Sequence, residues 1–118
     1  MRTFSFGVEQ GRRIDRFGGD FVISRLAHTE GIHVACLRLG PGGQVGYHQA
    51  SSYQLFALVD GEGWVRGESP ERRPIHAGEA ALWAPKEWHA AGTDRGMTAI
   101  VVEGAVLGGD PGAIGPIT

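Results

Sequence analysis

Glycine or proline interrupts this 118-residue chain every few positions, twenty glycines and six prolines being spread along its length. Glycine weakens a helix interior and proline breaks one. The intervals between them leave little room for a helix of ordinary length, so the chain reads as short extended segments joined by turns, an all-β fold. Residues 79–84, EAALWA, are helix formers by composition. Gly78 and Pro85 confine them to six residues, below what a stable helix needs, and they read as a strand.

Taken in order, residues 3–8 alternate around Phe4 and Phe6 as a short strand, and the charged, glycine-containing residues 9–20 read as a loop. Strands follow at 21–27 and 32–39, with turn residues 28–31 between them. Gly40-Pro41-Gly42-Gly43 then stops the chain. Residues 45–50 and 53–59 are two further strands, and Asp60-Gly61 suits a tight turn into 63–67. A polar loop tip, SPERR, precedes a strand at 74–77, and the last strands are 88–91 and 97–103. The tail 104–118 is rich in glycine and proline and reads as an extended segment on the body or as a partly disordered one. Nine or ten short strands with turns every several residues predict a sandwich or small barrel of the jelly-roll kind, in one domain spanning 1–118.

Charge and composition narrow the partners. Ten arginines and one lysine against thirteen acids give a net charge of -2, with no basic stripe for nucleic acid and no polybasic patch for a membrane. The N-terminal MRTFSFGVEQGRR lacks an apolar core of the kind that directs export, and no window reaches the ~18 apolar residues of a membrane span. The reading is a cytoplasmic protein. Its one cysteine, Cys36, lies in the apolar run VACLRL and reads as a buried, inert thiol.

Two glycine-bounded segments carry histidines at fixed spacing. In the first, residues 42–61, Gly42 is followed by five residues and His48, then Gln49 and Ala50, then Gln54 after three more, and Gly61 six residues beyond. In the second, Gly78 precedes His89 by eleven positions, with Pro85, Glu87 and Thr93 around it. In these two blocks, within residues 32–103, the chain resembles the cupin superfamily. The family's first motif has a second His where Ala50 stands and a Glu where Gln54 stands. In its second motif the proline comes one place earlier than Pro85, a glycine is usual where Glu87 stands, and an Asn is usual where Thr93 stands. The resemblance implies a cupin-type jelly-roll β-barrel with a small-molecule site, and it implies a homodimer, for which the strand of Phe4 and Phe6 is the expected contact.

Strand alternation puts His48 and Ala50 on one face, and Gln54, Phe56 and Leu58 on one face of the next strand. If His48, Gln54 and His89 point inward they offer a divalent transition metal (zinc, iron, nickel, manganese or copper) two imidazole nitrogens and one amide oxygen, with positions left open for water or substrate. Ala50, Phe56, Leu58 and Trp88 are expected to line the pocket, and Arg38 is the candidate anion contact. Trp83 is expected at the pocket mouth or in the core. Glu103, Asp60 and Glu87 are the nearest acids, and none is assigned as a general base. His28, His33 and His76 flank turns and read as surface residues. Two functional classes follow: a metal-dependent enzyme of the cyclase, isomerase, dehydratase or dioxygenase kind, or a metal-free, catalytically inactive cupin that binds or senses a ligand. Ala50 and Gln54 are the residues that separate them.

Overall fold

A computed structural model describes residues 1–15 and 19–107. Nine strands occur among them: β1 (Arg12–Ile14), β2 (Phe21–Thr29), β3 (Ile32–Leu39), β4 (Gln44–Gln49), β5 (Gln54–Arg66), β6 (Arg73–His76), β7 (Ala80–Trp83), β8 (Trp88–Gly92) and β9 (Met97–Glu103). All pair antiparallel, in the order β1-β2-β3-β9-β5-β8-β4, with β6 and β7 attached to β5. The jelly-roll architecture expected from the turn spacing is the one observed. Residues 79–84 lie in extended conformation over Ala80–Trp83, as their bracketing by Gly78 and Pro85 requires.

β5 is the hub. Its first half pairs with β7 and β9 in one sheet, and its second half with β6 and β8 in the other. The expected tight turn at Asp60-Gly61 does not form. A register shift between Leu58 and Asp60 bends the strand there and carries it from one sheet to the other without breaking it. Gly61 permits the passage: its φ is +83°, and a Cβ at this position would collide with the carbonyl oxygen of Gly96.

Side chains facing between the sheets form the core. On β9, Met97, Ala99 and Val101 are buried while Thr98, Ile100, Val102 and Glu103 are partly exposed, the alternation expected of a sheet with one face inward. Leu39, Leu58 and Met97 fill the end near the β5 crossing, joined by Val65 and Ile75 from the second sheet. Cys36 is 1% exposed, and burial raises its thiol pKa against the lowering effect of Arg38, which agrees with an inert thiol.

Two further local expectations are corrected. Residues 3–7 form no strand; a 3-10 turn at Val8–Gln10 follows them, and Phe4 and Phe6 lie exposed on the surface. The stretch read as a loop over 9–20 contains β1, which pairs with the start of β2. Two arginines and a β-branched residue leave this three-residue edge strand without an apolar signature. The tail is described only as far as the 3-10 turn at Ala105–Leu107; the rest of it lies outside the described residues.

Candidate functional site

His48 on β4 and His89 on β8 are register partners, so both side chains project from the same face of the second sheet. Their ring centroids are 4.3 Å apart, tilted by 52°. A register shift between Val45 and His48 lets both of these residues face inward although they stand three apart. His48 Nδ1 lies 2.7 Å from the carbonyl oxygen of Gly46, and His89 Nδ1 lies 3.3 Å from that of Glu87. A carbonyl oxygen only accepts, so each Nδ1 carries a proton, and in a neutral His89 ring the lone pair is on Nε2. His89 Nε2 is buried with no hydrogen-bond partner among the described residues. Trp83 stacks on the His89 ring, with centroids 4.3 Å apart. Burial, then the neighbouring His48, lowers the His89 pKa from 6.5 to about 4 despite the opposing bond to Glu87. The His89 ring is therefore neutral at physiological pH.

The first sheet supplies the facing wall. Its register places His33, Glu103, Gln54 and Trp83 side by side across β3, β9, β5 and β7, and all four line a cavity of about 420 Å³ shared with His48 and His89. Ala50 and Phe56 also line it. The methyl of Ala50 is buried, and its backbone is tied to the following turn by bonds from Ala50 N to Glu87 O and from Lys86 N to Ala50 O. The cavity thus brings together His48, Gln54, His89, Ala50 and Phe56.

Three expected lining residues lie elsewhere. Trp88 precedes an inward His89 and so points outward, where it is 41% exposed and stacks on Tyr47. Leu58 faces inward but sits beyond Phe56 in the packed core at the β5 bend. Arg38 alternates with inward Leu37 and Leu39, and its guanidinium lies over the Phe6 ring on the outer face. Among the acids, Glu87 accepts a bond from Ala84 N and braces the turn, and Asp60 is exposed. Glu103 is the one of the three that lines the cavity. Thr93 is fully structural: its buried hydroxyl donates to Glu62 O at 2.7 Å and accepts from Gly96 N at 2.9 Å.

The sequence reading missed three basic residues of the cavity wall, Arg12, Arg25 and His33. Strand parity carried a signal for Arg25, which continues the inward row of Phe21 and Ile23. Arg12 had none, because β1 was unrecognised.

Comparison with solved structures settles the architecture. A predicted oxalate decarboxylase from Thermotoga maritima superposes with a TM-score of 0.72 at 22% identity, over 79% of this chain and 90% of that one. An RmlC-like cupin from Shewanella frigidimarina gives 0.71 at 23% identity, over 89% and 92%. The fold is that of the cupins. KdgF from a Halomonas species gives 0.68 at 23% identity, over 87% and 94%. No protein-family model matches the chain, and no curated protein matches it.

Within this cupin barrel the donor set is sparse. Among the described residues no three His, Cys, Asp or Glu side chains form a group able to hold a metal ion. Gln54, whose amide oxygen is the third donor expected from the sequence, lines the same cavity as the histidine pair. The fit rests on the orphaned Nε2 of His89 and on the Nδ1–H bonds to backbone carbonyls, which are the outer contacts that fix a ligating imidazole's tautomer and ring orientation.

Proposed function

We propose that this cupin holds a divalent transition metal ion through His48, His89 and Gln54 and acts on a small molecule bound in the cavity beside them. The observation that carries the reading is the pair of imidazoles with both Nδ1 atoms bonded to backbone carbonyls and the Nε2 of His89 buried without a partner. A buried polar atom with no partner costs on the order of 1–3 kcal/mol, and a bound ligand or ion removes that cost. Zinc, iron, nickel, manganese and copper all accept such donors. When bound, the ion supplies Lewis acidity toward a carbonyl or water.

The chain's own residues divide the remaining work. Neutral His89 keeps its lone pair available across physiological pH, and the Trp83 stack holds its ring plane. Phe56 and Ala50 give the wall beside the histidines apolar surface. Glu103 is the acid positioned on the cavity wall to accept or donate a proton. Ala50 leaves room for substrate where a second imidazole stands in the family motif. The reaction classes in keeping with this arrangement are isomerisation, cyclisation, dehydration and dioxygen activation. The predicted oxalate decarboxylase among the structural neighbours is an example of an enzyme described on this fold.

A metal-free binding protein is the second reading, and the neutral Gln54 in place of a carboxylate favours it. Metal analysis of protein purified without a histidine tag separates the two. The enzyme reading expects about one equivalent of metal, lost in the His48→Ala, His89→Ala double variant. We also propose that two copies pair through the N-terminal segment, where Phe4, Phe6 and Val8 are exposed.

A further inference from the structure

The cavity wall opposite the histidines carries charge that the metal reading does not use. Arg12 on β1 is the register partner of Ile23, and Phe21, Ile23 and Arg25 alternate along β2, so both arginines project from the inner face. Both line the cavity that contains His48 and His89. A register shift follows Arg25 directly, between it and Ala27, and a bulge of this kind ends the alternation and re-aims the side chains beside it. Neither arginine has an ion-pair or side-chain hydrogen-bond partner among the described residues. The buried Nε2 of His33, also without a partner, belongs to the same wall. Arg12, Arg25 and His33 line an adjoining cavity of about 380 Å³ as well, so the three stand where two spaces meet.

Glu103, the register partner of His33, is the acid on this wall. Two guanidinium groups against one carboxylate leave a single positive charge before His33 is counted. We propose that this wall is a carboxylate subsite. A monocarboxylate substrate places its anionic group against Arg12 and Arg25, with His33 Nε2–H as a third donor, and extends its reacting end toward His48 and His89. Guanidinium groups bind carboxylates through paired, charge-assisted hydrogen bonds. The single net charge favours a monoanion, since a phosphate dianion would be opposed by Glu103. The proposal rests on reading this cavity as the functional site and does not depend on the metal. Inward charges also protect a free sheet edge from pairing, and β1 is such an edge, so the test has to separate the two roles.

The test titrates acetate, pyruvate and benzoate, each against its own amide, and inorganic phosphate, by calorimetry. It uses chelator-treated and zinc-loaded wild-type protein and the variants Arg12→Gln and Arg25→Gln. Both arginines are exposed, and thermal unfolding checks that the variants keep the fold. At least one acid should bind about tenfold more tightly than its amide in chelated protein, the effect of one charge-assisted contact, and each substitution should remove most of that preference. Four results would overturn the proposal: no acid preferred over its amide, a preference that survives both substitutions, phosphate binding more tightly than every acid, or a preference present only with zinc. Self-association of the variants with unchanged carboxylate binding would assign the arginines to edge protection instead. Loss of the metal reading with the preference intact would leave the subsite standing.

Discussion

At the residue scale His89 is the group whose burial most shapes the site. Its folded pKa of about 4 lies below the ordinary 6.5, chiefly through burial. Above pH 6.5 the ring is neutral in both folded and unfolded chains, and the advantage of burying it neutral is fully present. Between pH 6.5 and 4 the unfolded chain binds a proton that the folded protein refuses, so stability falls as pH falls, by up to about 1.4 kcal/mol per unit. Urea unfolding of chelated protein at pH 7.0 and 4.5 should show this site losing roughly 2–3 kcal/mol relative to His89→Gln; an identical loss in the variant would contradict the assignment. His48 and His89 were readable in the sequence because two glycine-bounded blocks carry them at the spacing of the cupin motifs, and the β4–β8 ladder then sets them opposite each other. Arg12 was not, since its inward direction depends on pairing with β2 that no local pattern announces.

At the element scale, β5 organises the barrel by bending from one sheet into the other at Leu58 to Gly61. Asp60-Gly61 has the composition of a hairpin turn, and local chemistry alone cannot tell a turn from a bulge within a continuing strand. The pairing of Gly61 with Met97 and of Trp64 with Gly92 decides it, through contacts more than twenty residues apart in sequence. Gly61→Ala places a Cβ against the backbone of Gly96 at a φ of +83°. It should destabilise the protein by roughly 1–3 kcal/mol, measured by urea unfolding. A stability within 0.5 kcal/mol of wild type, the ordinary range for an inconsequential surface change, would show that the crossing relaxes freely. By contrast β3 and β9 were legible to the residue, because each is a β-branched, apolar run bounded by glycine-containing turns.

At the scale of the whole molecule, the fold follows from regular turn spacing and two agreeing motif blocks, while the cavity's chemistry depends on which strands become neighbours. Gln54 meets Glu103 and Trp83 only because β5 lies between β9 and β7. The proposed pairing of copies belongs to this scale too. Light scattering at micromolar concentration should give a dimer, and a Phe4→Ser, Phe6→Ser variant should give a monomer; a monomeric wild type would remove the claim. The central claim is that the histidine pair with Gln54 forms a metal centre. Elemental analysis of untagged protein tests it most directly, with about one equivalent of a divalent transition metal predicted for wild type and almost none for the His48→Ala, His89→Ala variant. A substoichiometric metal content that is the same in both proteins would contradict it.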